Sequence, residues 1–169
     1  MHIGIKRFIV AGFIAVGLPL GLMATVSGAA SAATTRTAGA ASAARPDQTP
    51  TGPATIANEA NGNCLDPFDG RIVTFTCNDT HYQVWDIPGD GTIVNAGAGC
   101  LTGDVNGTVK ASPCNGSPYQ LWEINDDGTI VNPETGLFLT ADGHGKVFLA
   151  QDSGGSGTQI WNVTPFSGG

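Results

Sequence analysis

Beyond residue 55 no segment of the chain shows sustained 3.6-residue apolar spacing. The apolar positions fall instead in short runs separated by polar and glycine-containing turns. In the first stretch these runs cover residues 55–58, 64–66, 71–75 and 83–87, and each reads as a short strand. Asp90-Gly91, Asn106-Gly107, Asp127-Gly128 and Asp142-Gly143 supply hairpin turns. The pattern then repeats. Thr55-Ile56-Ala57-Asn58 recurs as Thr92-Ile93-Val94-Asn95 and as Thr129-Ile130-Val131-Asn132, at offsets of 37. Gln83-Val84-Trp85 recurs as Gln120-Leu121-Trp122 and as Gln159-Ile160-Trp161, at offsets of 37 and 39. Between them lie Cys64-Leu65, Cys100-Leu101 and, without the cysteine, Phe138-Leu139.

Repetition at this period means that one unit cannot bury its own apolar face, whereas three can share a core. Leu65, Leu101 and Leu139 are expected to point inward, with Ile56, Ile93, Ile130 and the tryptophans Trp85, Trp122 and Trp161. The glutamine two residues before each tryptophan carries two amide donor and two acceptor sites, so it can tie a strand to a neighbouring turn. Four strands in each of three units predict an all-β domain of about twelve strands. Such a domain fits a small closed barrel with few exposed edges.

The N-terminal part departs from this pattern. Lys6 and Arg7 precede an uncharged apolar stretch, residues 8–26, and Ala30-Ser31-Ala32 offers small cleavage-type residues. Residues 1–32 therefore read as a signal peptide that directs secretion to an extracellular location. Retention of the same stretch as a membrane anchor is the competing reading. Residues 33–54 are rich in Ala, Thr, Ser, Pro and Gly and read as a flexible linker. Residues 55–166 are left as the folded domain.

Charge narrows the partners. The 169-residue chain has 25 glycines and only 12% charged residues, which argues against coiled coils and helix bundles. From Thr55 onward there are 13 acidic residues against three basic ones, Arg71, Lys110 and Lys146, for a net charge of −10. No basic stripe is available for phosphates, so no nucleic-acid partner is expected, nor an anionic membrane surface. The four cysteines, Cys64, Cys77, Cys100 and Cys114, allow three pairings. Spacings of 13 and 14 suggest two local loops, Cys64–Cys77 and Cys100–Cys114. Zinc normally requires C-x₂₋₄-C pairs, which are absent, and export favours disulfides. No metal or cofactor is expected.

Three Gln-x-Trp units, the first two preceded by Cys-Leu and followed by Asp-Gly-Thr-Ile, resemble the ricin-type β-trefoil lectins. Carbohydrate-binding modules attached to secreted glycanases share the pattern. The resemblance covers residues 55–166 and implies a pseudo-threefold β-trefoil with disulfides inside the repeats. It also implies where sugar would bind. A carboxylate can accept two hydroxyl hydrogen bonds, an aromatic ring covers the C–H face of a pyranose, and amide or phenol groups complete the polar ring. In the family these parts are an aspartate directly after Cys-Leu, an aromatic two residues before the second cysteine, and polar groups at the start of the Gln-x-Trp unit. Asp66, Phe75, Tyr82 and Gln83 match in the first repeat, and Asn78 lies nearby. Asp69 matches a second acidic position that orients the polar residues. The family more often has Asn or His at the position of Tyr82, and the Asp66-to-Phe75 connection is shorter than in many relatives. The other repeats match poorly. The second has Thr102 for the aspartate and Ser112 for the ring, with Asp104 displaced. The third has Thr140, displaced Asp142, and Leu149 as the nearest platform, and lacks both cysteines.

Catalysis is not indicated. His81 and His144 lie in different repeats, and there is no G-x-S-x-G or H-E-x-x-H. Asp126-Asp127 falls in a turn rather than facing a second carboxylate across a cleft. The expectation is a secreted, non-catalytic, monomeric carbohydrate-binding protein that takes galactose- or xylose-type glycans weakly through its first repeat. The rival expectation is a structural or protein-interaction trefoil with degenerate sugar sites.

Overall fold

The computed structural model describes residues 50–168, which hold twelve strands and three single-turn 3₁₀ helices. The expected signal segment and residues 33–49 of the expected linker lie outside the described residues. The first repeat contributes β1 (Gly52–Asn58), β2 (Cys64–Phe68), β3 (Arg71–Phe75) and β4 (Val84–Ile87). The second contributes β5 (Val94–Asn95), β6 (Gly99–Gly103), β7 (Val109–Ser112) and β8 (Glu123–Ile124). The third contributes β9 (Ile130–Asn132), β10 (Leu137–Ala141), β11 (Val147–Ala150) and β12 (Trp161–Pro165). This is the β-trefoil.

Two local expectations are corrected. Strand β1 begins at Gly52, within the stretch that reads as linker, because residues 52–54 pair with Ile87, Asp86 and Trp85 of β4. Ala54 is buried there, so a small residue in a spacer-like composition belongs to the core. Gln83 does not begin a strand; it closes the 3₁₀ turn His81–Gln83, whose backbone bond runs from Gln83 N–H to Thr80 C=O at 3.0 Å.

Six strands close into a ring. β1 pairs with β12 on one side and β4 on the other, β4 with β5, and β8 with β9. The remaining seams are joined by Trp122 N–H to Gly91 C=O at 2.7 Å and Trp161 N–H to Gly128 C=O at 2.8 Å. The repeated motifs serve this closure. Asn95 Nδ2 donates to the carbonyls of Tyr82 and Val84, and Asn132 Nδ2 to those of Tyr119 and Leu121. Asn58 Nδ2 does the same to Thr158 and Ile160, so each repeat is fastened to its neighbour and the third to the first. A buried main-chain carbonyl left unpaired would cost about 1–3 kcal/mol, so an Asn donor recurs at each of the three seams.

Inside the ring the three leucines, three isoleucines and three tryptophans form one buried cluster, as the repeats predict. Each indole N–H bonds the carbonyl of the leucine in its own repeat: Trp85 to Leu65 at 3.0 Å, Trp122 to Leu101 at 2.9 Å and Trp161 to Leu139 at 2.9 Å. That satisfies the one polar atom a buried tryptophan carries. The hairpins β2–β3, β6–β7 and β10–β11 stand off the ring and meet one another, through Thr74 N–H to Gly145 C=O and Leu149 N–H to Gly107 C=O, both 2.8 Å. Disulfides Cys64–Cys77 and Cys100–Cys114 link the first two hairpins to the chain that leaves them, and the third repeat has none.

Candidate functional site

Strand periodicity builds the first-repeat site. Along β2 the side chains of Leu65 and Pro67 turn toward the ring, so Cys64, Asp66 and Phe68 share the outer face. Register sets Phe75 opposite Cys64, Val73 opposite Asp66 and Arg71 opposite Phe68. The hairpin can be this tight because Asp69 and Gly70 both take positive φ, 50° and 72°, in a two-residue turn. The other two hairpins use longer loops between Gly103 and Val109 and between Ala141 and Val147. The turn His81–Gln83 then packs beside β2 and brings Tyr82 to the same hollow.

Asp66 is half-buried and held from one side. Gln83 Nε2 donates to Asp66 Oδ2 at 3.0 Å and to Thr76 C=O at 3.1 Å, while Gln83 Oε1 accepts from Asn78 N–H at 2.9 Å. Among the described residues Asp66 Oδ1 has no hydrogen-bond partner, so this oxygen faces the hollow as an acceptor. Phe75 is 60% exposed and Tyr82 54%, far more than packing residues would be. Tyr82 lies against the ring of His81 at a centroid distance of 4.1 Å. Asn78 Oδ1 caps the next turn by accepting from Thr80 N–H and Thr80 Oγ1, which directs its amide nitrogen outward as a donor. Asp66, Phe75, Asn78 and Tyr82 all line one hollow of about 1280 Å³.

Two expected roles change. Gln83 is fully buried with its amide engaged on both ends, so it positions Asp66 and Asn78 rather than touching a ligand. Asp69 sits exposed at the hairpin tip, where it lines the same hollow but bonds none of the site residues; the hydrogen bond that holds Asp66 comes from Gln83. One residue was missed. Phe68 is 68% exposed on the face of Asp66 and lines the same hollow. The signal was its separation of two residues from Asp66 along a strand.

The other repeats keep the frame and lose the chemistry. Gln120 Nε2 bonds Thr102 Oγ1, Ser112 Oγ and Pro113 C=O, and its Oε1 accepts from Asn115 N–H. Gln159 Nε2 bonds Thr140 Oγ1 and Gln151 C=O. A threonine hydroxyl therefore stands in each place where the first repeat has a carboxylate. Asp104 and Asp142 are spent on their own hairpin loops: Asp104 Oδ1 accepts from Asn106 and Thr108 N–H, Asp142 Oδ1 from His144 and Lys146 N–H. The Lys146 and His144 amides hold Asp142 below the ordinary aspartate value of 3.8. Among the described residues no group of three or more His, Cys, Asp or Glu side chains gathers to hold a metal ion.

A closed ring of three four-stranded repeats, with a carboxylate and aromatic rings around an open hollow, defines a β-trefoil of lectin type. The family model for the ricin-type beta-trefoil lectin domain matches residues 52–161, and the chain belongs to that family. Its fold is similar to the agglutinin from Abrus precatorius, at 25% identity and a TM-score of 0.59, over 66% of this chain and 48% of that one. It is also similar to the Vibrio vulnificus hemolysin/cytolysin β-trefoil lectin, solved with N-acetyl-D-lactosamine bound, at 18% identity and a TM-score of 0.61, over 70% of this chain and 97% of that one. The designed threefold-symmetric protein ThreeFoil aligns at 19% identity and a TM-score of 0.60, over 68% of this chain and 99% of that one. The chain thus spans about half the length of the Abrus chain. No curated protein matches the chain in sequence.

Proposed function

We propose that the protein is a secreted, non-catalytic lectin that binds galactose- or xylose-type glycans weakly through its first repeat. The observation that carries this is Asp66: one oxygen is fixed by a buried glutamine and the other is open between exposed Phe75 and Tyr82. A pyranose lies with its C–H face on Phe75. Vicinal hydroxyls donate to Asp66, and the Asn78 amide and Tyr82 hydroxyl bond the remaining oxygens. One shallow site of this kind has an affinity of roughly millimolar to tens of micromolar, about −4 to −6 kcal/mol. Retention on a polymer then comes from multiple contacts with a repetitive ligand. The leader-like residues 1–32 and the two disulfides support export.

A second reading is favoured by one observation. Thr102 and Thr140 replace the carboxylate in two of three equivalent frames, so the trefoil also fits a scaffold that contacts other proteins. A glycan and polysaccharide binding screen of the purified chain, with Asp66→Ala alongside, separates the two. Binding lost in a still-folded variant supports the lectin and its location. Binding that survives moves the site to another repeat, and no binding by folded wild type leaves the scaffold.

A further inference from the structure

The hollow does not end at Asp66. Phe75 lies opposite Cys64 and Phe68 lies four residues further along β2, so the backbone positions that carry the two exposed rings are about 13 Å apart along the hairpin, with Asp66 midway. That span exceeds one pyranose. The Phe68 end also differs in charge. Arg71 lies directly opposite Phe68, and the bridge between Val73 and Lys146 brings the third repeat's hairpin against β3. Arg71 and Lys146 both line this hollow, yet they are two of only three basic residues set against 13 acidic ones from Thr55 onward. The Lys146 ammonium sits 5.5 Å from the centre of the Phe148 ring, which also lines the hollow from the third repeat's hairpin.

Resting on the lectin reading above, we propose that the site continues to a second subsite, formed by Phe68, Arg71 and Lys146, for a sugar bearing an anionic group. The group is a uronic-acid carboxylate or a sulfate ester. Phe68 supplies the stacking ring, the Arg71 guanidinium the planar donor fork, and Lys146 a second positive charge from across the repeat boundary. The net negative charge of the domain does not forbid this, because at physiological salt the Debye length is about 8 Å and adjacent groups dominate. Of the nearby acids, Asp142 is engaged by the His144 and Lys146 backbone amides, and Asp69, which also lines the hollow at the hairpin tip, leaves the pair Arg71 and Lys146 with a net positive charge of one. The subsite makes the ligand an acidic oligosaccharide read along its chain, with the neutral ring at Asp66 and the acidic one at Phe68.

The test is calorimetric titration of the full chain with methyl galactoside, galactotriose, trigalacturonate and 6-O-sulfated galactotriose, at low and high salt. One charge-assisted contact corresponds to about a tenfold gain in affinity, so at least one acidic trisaccharide should bind about tenfold tighter than galactotriose. Which acidic probe gains identifies the anionic group. The gain should shrink at high salt and vanish in an Arg71→Gln/Lys146→Gln double variant, whose exposed side chains leave the core intact, with methyl galactoside affinity unchanged. Phe68→Ala should weaken every trisaccharide more than it weakens methyl galactoside. Equal affinity for acidic and neutral trisaccharides, or a gain that survives the double substitution, overturns the subsite. Asp66→Asn tests the underlying site separately: methyl galactoside binding that is unaffected by it refutes the placement of the site in the first repeat and the subsite with it, and the absence of all sugar binding by the folded protein refutes the lectin assignment itself.

Discussion

Replacing Gln83 with methionine keeps the length of the side chain and removes its amide. In the structure that amide makes three bonds: to the Asp66 carboxylate, the Thr76 carbonyl and the Asn78 amide. The bond to a charged group is worth about 1.5–3 kcal/mol and the two neutral bonds about 1 kcal/mol each. Thr76 and Asn78 are exposed, so water recovers part of the neutral bonds and the expected loss is about 2–4 kcal/mol. In a domain of this size that lowers Tm by about 10 °C, which leaves it folded at room temperature. The loss should be read by urea and thermal unfolding, beside Gln120→Met as the internal control. Gln120 makes the equivalent bonds to Thr102, Ser112, Pro113 and Asn115 with no carboxylate among them. Both variants should be destabilised, Gln83→Met somewhat more. Only Gln83→Met should weaken sugar binding, by about tenfold, because Asp66 loses its anchor. Unchanged stability with abolished binding would refute the reasoning, since it is the signature of a direct ligand contact.

Acid should loosen the turns between repeats. Thr92 and Thr129, through hydroxyl and then amide hydrogen bonds, hold Asp90 and Asp127 below the ordinary aspartate value of 3.8, and backbone bonds do the same for Asp142. Their stabilisation is present above that value and is lost as pH falls through the lowered folded values, so unfolding monitored by tryptophan fluorescence should show stability falling below about pH 4. Asp127→Asn should flatten that fall; an unaltered profile would exclude Asp127 as a contributor. Removing the Cys64–Cys77 bridge by a double alanine substitution opens a loop of separation 13 and should cost about 3 kcal/mol in urea. A cost near zero would mean the hairpin is held by its strands alone. Gly99→Ala places a Cβ 2.4 Å from the Ser112 carbonyl oxygen at a φ of 97° and should cost more than about 3 kcal/mol, while Gly136→Ala meets nothing and should cost about 1 kcal/mol. Equal costs would show that backbone strain, not the close approach, governs Gly99.

The repeat itself determines most of the architecture. Ile56, Leu65 and Trp85 with their counterparts define the shared core because a unit of 37 residues cannot cover its own apolar face, and that requirement is written into composition at fixed spacing. The cysteine pairing is legible for a similar reason: short separations favour local closure. The position of Asp66 after Cys-Leu was also readable, as was its replacement by Thr102 and Thr140. The tertiary structure alone decided the rest. Gln83 changes from ligand contact to anchor because burial and hydrogen-bond saturation depend on what surrounds the 3₁₀ turn. Asp69 bonds none of the site residues because a two-residue turn carries it to the hairpin tip at the edge of the hollow. Residues 52–54 join the fold because β4 is there to pair with them, which no spacer-like composition reveals. The placing of Arg71 and Lys146, residues from the first and third repeats, on one hollow follows from the hairpins converging at the Val73–Lys146 bridge. Local sequence fixes which face of a strand a side chain occupies, but the neighbours of that face come from strands far away in the chain.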